Sequence, residues 1–300
     1  MALLKVNHLT KDFGHGRGVF DVNFEINKGE VFGFLGPNGA GKSTTIRHLM
    51  GFTKPDQGSL EIMGLNCTTQ SSKVMQHVGY LPGEIALPEG LTGWQFLNMM
   101  QKMRHVKDDS YLNYLLDFFE LDPNGDTKRM SLGDKRKLAV VAAFAADPEI
   151  LILDEPTSGL DPVMQEKFIQ FMVEEKRRGK TILLSSHIFP EIEATCDRIA
   201  IIREGKVVSE VDANELKNID SKTYKLFFET ENDLQNALKE LPNAQKGIEN
   251  DLEVVVERLT LTPFFKKLPL LKVKAINEER FDLENYFLDF YRSDRVFEEL

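Results

Sequence analysis

The sequence predicts an α/β protein: a mixed sheet with an antiparallel β layer and a helical subdomain, followed by a small C-terminal α+β domain. Three short apolar segments, at residues 31–35, 150–154 and 181–185, each run into a polar loop, as the buried strands of a parallel sheet do. Two segments near the N-terminus alternate apolar and polar residues instead, which is typical of antiparallel strands. The length of 300 residues exceeds what one hydrophobic core usually serves, so two domains are expected.

The composition, with 42% hydrophobic and 28% charged residues, is that of a globular protein. The longest apolar run, residues 138–146, is far shorter than the ~20 residues that a membrane-spanning helix needs, and no signal peptide is predicted. Cys67 and Cys196 lie outside any Cys/His cluster, so neither a disulfide framework nor a zinc site is indicated. The net charge of −10 and the absence of a basic tail disfavour a nucleic-acid partner. We therefore expect a cytoplasmic protein that does not itself span a membrane.

The first two predicted strands, residues 3–9 and 19–26, form the antiparallel layer, and a polar turn at residues 27–30 leads into the next strand. Phe13 lies between these two strands. A planar ring in that position could stack on an adenine base, whereas a lone aromatic residue usually packs into the core. Both interpretations of Phe13 stay open at this point.

The strand at residues 31–35 runs into a glycine-rich segment that matches G-x-x-x-x-G-K-[ST], and a helix follows at residues 44–50. In such a P-loop the backbone N–H groups surround the phosphates of a nucleotide, the lysine reaches the outer phosphates, and the serine can bind Mg2+. The start of the helix adds partial positive charge. The predicted phosphate-binding residues are Gly36, Pro37, Asn38, Gly39, Ala40, Gly41, Lys42, Ser43 and Thr44.

A helical subdomain is predicted at about residues 86–146. Thr92 begins a capping box ahead of one helix, and residues 110–121 carry apolar side chains at helical spacing. Ser131 is the predicted N-cap of a further helix, with an acidic residue three positions later. Helix capping alone accounts for this last pattern, so local sequence gives Ser131 no further role.

Two carboxylates, Asp154 and Glu155, end the apolar strand at residues 150–154. The carboxyl ends of parallel strands face the ligand in open α/β sheets, so these side chains are expected beside the P-loop. There Asp154 could hold Mg2+ together with Ser43, while Glu155 could orient or deprotonate a water molecule. A solvated turn at the end of a strand is the alternative explanation, and it fits poorly beside a P-loop.

Two further polar residues follow in the next helix and strand. Asp161 is the predicted N-cap of a helix that has proline at its first position. His187 closely follows the strand at residues 181–185, which repeats the geometry of a strand end facing the phosphates. A single histidine is more often structural, so the case for His187 rests on its position alone.

A polar linker at residues 217–222 is predicted to separate a first domain of residues 1–216 from a small accessory domain of residues 223–300. Thr262 is the predicted N-cap of a helix in the accessory domain, with Pro263 as its first residue. The other predicted elements there are strands at residues 224–228, 252–256 and 271–276 and helices at residues 232–240 and 283–291. The two repeats of strand and helix resemble a ferredoxin-like fold.

Several motifs together resemble one family. They are the P-loop, Ser131-x-Gly133, the strand ending in Asp154-Glu155, the segment Ser158-Gly159-Leu160-Asp161, and His187. Over roughly residues 1–215 the chain resembles the ATP-binding subunit of an ATP-binding cassette (ABC) transporter. The resemblance implies a P-loop NTPase fold and a Mg-dependent ATPase, with ATP and Mg2+ bound and two subunits enclosing two ATP molecules.

The same resemblance implies roles for single residues near the P-loop. It casts Phe13 as the residue that stacks on adenine. Ser43 and Asp154 are the Mg2+ ligands, with Lys42 on the phosphates. Glu155 is the general base for the attacking water, and His187 is the sensor of the γ-phosphate.

The signature segment, residues 130–134, departs from the Leu-Ser-Gly-Gly-Gln of the family. Ser131 and Gly133 are kept, and in the family they contact the γ-phosphate of the nucleotide held by the opposite subunit. Leu132 and Asp134 resemble the form found in bacterial antibiotic and multidrug exporters. Asp161 lies in the loop that communicates across the dimer.

A second departure concerns the glutamine that follows Tyr-Leu-Pro in the family, because this chain has Gly83 there, followed by Glu84. Gly83 has no side chain that could bind Mg2+ or hold the attacking water. Either water takes that coordination position or Glu84 substitutes for the glutamine. We favour water, because Glu84 would add a third carboxylate near the phosphates.

The overall prediction is an ATPase subunit at the inner face of the cell membrane that drives a separately encoded integral membrane permease. It would act as a homodimer or with a paired cassette subunit, and the exporter resemblance, which residues 281–291 share, favours export of a drug, antibiotic, peptide or lipid. The alternatives are a soluble ABC ATPase in translation or repair and a regulatory module with little hydrolysis. Translation factors of the family usually carry two cassettes and repair members a long coiled coil, and the sequence contains neither.

Overall fold

The computed structural model describes residues 2–213, 221–241, 243–247, 250–257, 260–279 and 287. The chain divides into two compact units, residues 1–213 and 214–300. The linker predicted from the sequence, residues 217–222, begins a few residues after this division. The helix predicted at residues 283–291 lies outside the described residues, apart from residue 287.

The centre of the first unit is a six-stranded sheet. Its strands are β3 (Val31–Leu35), β6 (Val78–Leu81), β7 (Ile150–Asp154), β8 (Thr181–Ser186), β9 (Arg198–Arg203) and β10 (Lys206–Asp212). They lie in the order β10-β9-β3-β8-β7-β6, and only the edge pair β9–β10 is antiparallel among these described strands. Every residue of β3, β7 and β8 is buried, which explains why apolar residues predominate in β3 and β7. The parallel arrangement brings the carboxyl ends of β3, β7 and β8 to one edge of the sheet.

The predicted antiparallel layer is confirmed as a second sheet. Its strands are β1 (Ala2–Asp12), β2 (Gly18–Asn27), β4 (Gln57–Ile62) and β5 (Leu65–Asn66), in the order β2-β1-β4-β5. From Val22 to Asn27 alternate residues of β2 are buried, as the alternation in the sequence requires. Phe24 of this strand stacks on Phe32 of β3, with ring centroids 5.2 Å apart, so the two sheets share one core.

Seven helices are described in the first unit. They are α1 (Lys42–Leu49), α2 (Ser71–His77), α3 (Gly93–Met103), α4 (Ser110–Phe118), α5 (Leu132–Phe144), α6 (Pro162–Arg177) and α7 (Phe189–Thr195). The predicted capping box at Thr92 is confirmed, because its hydroxyl accepts from Gln95 N at 3.2 Å and Gln95 Oε1 accepts from Thr92 N at 2.8 Å. Helix α4 ends before the predicted residue 121, because Glu120 adopts a left-handed conformation with φ 50° that terminates the helix.

Helix α5 packs closely on β6, and a glycine makes this approach possible. A Cβ built on Gly79 would lie 2.3 Å from Ala143 O and 2.7 Å from Pro148 Cγ. Since backbone atoms have no room to give way, a side chain larger than hydrogen is excluded there. This contact brings the helix that begins after Ser131 against the strand that leads to Gly83.

The second unit is a small antiparallel α+β domain, as predicted. Its elements in chain order are β11 (Ser221–Phe227), α8 (Glu231–Glu240), β12 (Ala244–Lys246), β13 (Asp251–Glu257), α9 (Leu261–Lys267) and β14 (Ala275–Glu279). The βαββαβ order and the strand order β12-β13-β11-β14 are those of a ferredoxin-like fold. Its core includes Tyr224 stacked on Phe264, with ring centroids 5.2 Å apart.

Three details of this second unit differ from the prediction. The short strand β12 was not predicted. The N-cap of α9 is Thr260 rather than Thr262, and Pro263 is tolerated in its first turn because the N–H groups there have no intrahelical partner. The strand predicted at residues 271–276 begins only at Ala275, since Leu271 lies in a turn and is apolar because it packs into the core.

Candidate nucleotide-binding site

The P-loop, residues 36–44, connects the carboxyl end of β3 to the start of α1. Gly39 and Gly41 have φ angles of 83° and 113°, which favour glycine. Lys42 is the first residue of α1, and only 5% of it is exposed. Its Nζ donates hydrogen bonds to Gly36 O and, at 3.2 Å, to Pro37 O. A buried ammonium group therefore lies inside a loop of glycine N–H groups, as an anion site requires.

The two carboxylates of β7 and the next residue lie at the same edge of the sheet. Asp154 is buried, and its Oδ1 accepts a hydrogen bond from Ser185 Oγ at 2.5 Å. Glu155 Oε1 lies 3.0 Å from Lys42 Nζ. That contact is an ion pair, while Lys42 donates its hydrogen bonds to the loop carbonyls. The structure thus brings the predicted general base and the P-loop lysine together.

Glu155 has an unusual backbone conformation, with φ 49°. A left-handed conformation costs a residue with a side chain about 1–2 kcal/mol. It is held by the Glu155 N–H, which donates to Ser185 O at 3.0 Å and to Ser185 Oγ at 3.3 Å. In this conformation the carboxylate of Glu155 lies beside Lys42 of the P-loop.

His187 completes a chain of polar side chains. Its Nδ1 lies 2.6 Å from Glu155 Oε2, and about half of its side chain is exposed. The carboxylate can accept a hydrogen bond from the Nδ1–H tautomer, which leaves Nε2 to face solvent or a ligand. Lys42, Glu155 and His187 are therefore linked through the two oxygens of one carboxylate.

The donor set fits a Mg2+ ion shared with a nucleotide. Ser43 is exposed in the first turn of α1. A Cβ built on Gly83 would lie 3.0 Å from Asp154 Oδ2, so this carboxylate oxygen points towards the loop that contains Gly83. Among the described residues no group of three His, Cys, Asp or Glu side chains gathers as a metal site. Mg2+ is usually held by one or two side chains together with phosphate oxygens and water, and the Ser43 hydroxyl and the Asp154 carboxylate are oxygen donors of that kind.

Phe13 lies at the rim of a cavity of about 750 Å³ that reaches the P-loop. Its ring is 52% exposed, so the alternative of a core position is wrong. The cavity is also lined by Gly16, Arg17, Gly18, Phe20, Gly39, Gly41, Thr44, Glu204, Gly205 and Lys206. A flat aromatic surface and the phosphate loop therefore share one cleft, as a nucleotide base with its phosphates requires.

Three predicted residues lie at helix starts and make local contacts. Ser131 Oγ accepts from Asp134 N at 3.1 Å and donates to Asp134 Oδ2 at 2.7 Å, so the predicted cap of α5 is confirmed. Asp161 caps α6, with Oδ1 accepting from Met164 N at 3.0 Å. A Cβ built on Gly133 would lie 3.6 Å from Gly159 O, which places the signature segment beside the loop before α6.

Known proteins resemble this chain over most of its length. The family described as ABC transporter matches residues 19–158. The uncharacterized ABC transporter ATP-binding protein YhcH of Bacillus subtilis (strain 168) is 32% identical, over 96% of this chain and 95% of its own length. This chain belongs to the ATP-binding proteins of ABC transporters.

Other members of the ABC family agree with this assignment. The bacitracin transport ATP-binding protein BcrA of Bacillus licheniformis is 36% identical over 72% of this chain and 71% of its own length. A solved structure titled as the ATP-binding subunit of an ABC transporter superposes with a TM-score of 0.66 at 32% identity, covering 72% of this chain and 92% of the other. The chain is thus an ABC ATPase, the ATP-hydrolysing subunit of a transporter.

Sequence reasoning missed several residues of this ABC site. Ser185, which holds Asp154, was assigned only to a strand. Glu191 on α7 is 1% exposed and accepts hydrogen bonds from Ser186 Oγ at 2.5 Å and from Thr157 Oγ1 at 3.4 Å. Burial, with a smaller contribution from the negative charge of Glu155, raises the pKa of Glu191 to about 7, although the two hydroxyls lower it. An acidic residue shortly after His187 was the only signal in the sequence, and acidic residues in a first helical turn are common.

Proposed function

We propose that this ABC ATPase hydrolyses MgATP in a site shared by two copies of the chain, with residues 36–44 from one copy and Ser131 and Gly133 from the other. The observation that carries the proposal is the chain of contacts Lys42–Glu155–His187, because it joins a phosphate-binding group, a base and a second proton-carrying group. The exposed start of α5 supports a partner site, since Ser131 is exposed and its contacts are local.

Lys42, Glu155 and His187 each take a different part in the proposed hydrolysis of ATP. Lys42 Nζ turns from Glu155 to the outer phosphates and neutralises charge that develops there. Glu155 Oε1 then has no partner among the described residues and can accept a proton from the attacking water. His187 holds Glu155 Oε2 and keeps the carboxylate oriented, while its other ring nitrogen faces the γ-phosphate.

Ser43 and Asp154 would hold Mg2+, which supplies positive charge to the phosphate oxygens when bound. Ser185 keeps Asp154 in place by donating to Oδ1, so Oδ2 is the oxygen directed at the ligand side. Phe13 would stack on the adenine ring, with the cavity beside it large enough for the base.

We propose export as the direction of transport and an antibiotic, drug, peptide or lipid as the cargo. Support comes from the relative named for bacitracin transport, at 36% identity. Of the helices in the described part of the chain, none is long and apolar enough to cross a membrane. A separately encoded permease would supply the membrane path, and binding to it would place this ATPase at the inner face of the cell membrane.

Glu155→Gln tests the assignment of the base. The amide is close in size to the carboxylate but does not accept the proton, so ATP turnover should fall by at least about 100-fold. ATP binding should be kept, and a nucleotide-dependent dimer should accumulate. Steady-state phosphate release, equilibrium ATP binding and size-exclusion chromatography with ATP measure the three properties.

Glu166→Gln is the matched control, because Glu166 is an exposed acid within α6 and belongs to none of the motifs of the site. This control should keep normal turnover and should not accumulate the dimer. Normal turnover in the Glu155→Gln variant would contradict the assignment of Glu155 as the base.

A further inference from the structure

Arg136 is a buried cation in α5 that the proposed mechanism does not use. It is 4% exposed. Its Nη1 donates to Pro82 O at 3.1 Å, and its Nη2 donates to Gly83 O at 2.6 Å. The planar guanidinium thus holds two consecutive carbonyl groups, which an ammonium group of lysine does not match in geometry.

The peptide that Arg136 holds lies directly against the metal side of the site. A Cβ built on Gly83 would lie 3.0 Å from Asp154 Oδ2 and 3.3 Å from Asp154 Cγ. Since Ser185 occupies Oδ1, Oδ2 is the oxygen left for a ligand, and the position of Gly83 sets the space around it. A shift of this loop by a few tenths of an ångström would therefore change the surroundings of the metal-side carboxylate.

The charge of Arg136 also faces the two carboxylates. Burial lowers the pKa of its guanidinium, while the negative charges of Asp154 and Glu155 act in the opposite direction. Arginine stays protonated in proteins, so a full positive charge is kept in a buried position. Within the described part of the chain, its hydrogen-bond partners are the two carbonyls, and its Nε has none.

Helix α5 joins this contact to the signature segment. Ser131 caps the helix, and Arg136 lies just over one turn further along it. A helix transmits displacement along its axis as a rigid element. A movement of Ser131 would therefore also move the guanidinium that holds Gly83.

We infer that Arg136 is a positioning residue that fixes the Pro82–Gly83 peptide beside Asp154 and couples the signature segment to the metal side of the site within one subunit. The inference rests on the proposed MgATP site. Because Gly83 has no side chain that could anchor this loop, Arg136 holds the loop through its backbone carbonyls instead. It touches neither substrate nor metal itself.

The test compares Arg136→Met with wild type in the full-length protein. Hydrogen–deuterium exchange of the backbone amides of residues 83–85 should become faster in the variant, because the loop that carries them loses the donor to two of its carbonyls. Mn2+ binding in the presence of a non-hydrolysable ATP analogue, measured by electron paramagnetic resonance, should weaken about tenfold, as for loss of an outer-shell partner of a metal ligand. Arg136→Lys should recover only part of both changes.

Arg104→Met is the matched control, since Arg104 also donates to two backbone carbonyls near the same strand. Its Nη2 donates to Val78 O at 2.6 Å and its Nη1 to Gln76 O at 3.3 Å, at the opposite end of β6. This variant should lose similar thermal stability but keep the Mn2+ affinity of wild type. Gly83→Ala should weaken Mn2+ binding, and its effect combined with Arg136→Met should be less than additive.

Both readouts must change for the inference to stand. Unchanged Mn2+ affinity in Arg136→Met, unchanged exchange at residues 83–85, or an equal loss of Mn2+ affinity in Arg104→Met would each overturn it. Failure of the wild-type protein to bind the ATP analogue would instead contradict the proposed function. In that case the hydrogen–deuterium exchange comparison, which needs no nucleotide, still tests whether Arg136 holds the Pro82–Gly83 peptide.

Discussion

At the scale of single residues, neighbouring side chains fix the orientation of the two carboxylates of the site. Glu155 is kept in a strained conformation by Ser185, and the same Ser185 hydroxyl holds Asp154. One small side chain therefore orients both carboxylates. Lys42 and His187 each hold a different oxygen of Glu155, so the direction of this side chain is set from two sides.

The sequence leaves open whether water or Glu84 replaces the glutamine that the family has at the position of Gly83. The structure places Glu84 among the exposed residues, whereas Gly83 lies against Asp154. We therefore expect Glu84→Ala to keep an ATP turnover within about twofold of wild type and an unchanged Mg2+ requirement. Steady-state ATPase assays over a range of Mg2+ concentrations measure both.

The matched variant is Glu89→Ala, which removes another exposed acid from the same connecting segment, one that pairs with Lys128. Equal, small effects of the two substitutions would support water as the replacement for the glutamine. A collapse of turnover in Glu84→Ala alone would assign that role to Glu84.

At the scale of elements, helix caps serve both folding and the site. Thr92 and Ser131 each begin a helix of the same helical region, and each accepts a hydrogen bond from a backbone N–H three residues later. Their contribution to helix stability should be similar. Only Ser131 belongs to the signature segment, so the pair separates a structural effect from a functional one.

Thr92→Ala and Ser131→Ala should each lower the free energy of unfolding by about 1 kcal/mol, because an N-cap is lost in both. ATP turnover should stay close to wild type in Thr92→Ala and fall sharply in Ser131→Ala. Denaturant unfolding and phosphate release measure the two quantities on the same preparations. Equal turnover in both variants would leave Ser131 as a cap and nothing more.

The order of elements explains which parts of the protein the sequence predicts. The P-loop, the end of β7 and the start of α6 are patterns of strand, loop and helix that neighbouring residues in the sequence mark directly. The contacts of Arg136 join residues 53 and 54 positions apart, and no local periodicity marks them. Leu271 misled the strand prediction because burial in a turn and burial in a strand select the same apolar side chains.

At the scale of the whole molecule, the proposed site is complete only when two copies meet. The P-loop, Asp154, Glu155 and His187 lie at one edge of the central sheet, whereas Ser131 makes only local contacts at the start of α5. Two copies related by a twofold axis would contribute each half twice. This arrangement makes the effects of substitutions depend on which chain carries them.

Mixing two inactive variants tests this dependence. Lys42→Ala and Ser131→Ala proteins, each inactive alone, should regain about a quarter of wild-type turnover in an equimolar mixture. Half of the dimers are then mixed, and each mixed dimer has one intact site. Phosphate release from the mixture, compared with the separate proteins, measures the recovery. A mixture of Lys42→Ala and Glu155→Gln proteins is the control and should stay inactive, because both substitutions damage the P-loop half.

The exposed Leu132 has a thermodynamic consequence for such a dimer. Its side chain is 67% exposed and packs beside Gly159, where a Cβ would lie 3.3 Å from Leu132 Cδ2. The family signature Leu-Ser-Gly-Gly-Gln has glycine at this position, which offers little apolar area to remove from water. If Leu132 is buried against a second copy, the association would have a negative heat-capacity change. Association of two copies would therefore depend less on ionic strength than association through ion pairs does, and it would weaken on cooling.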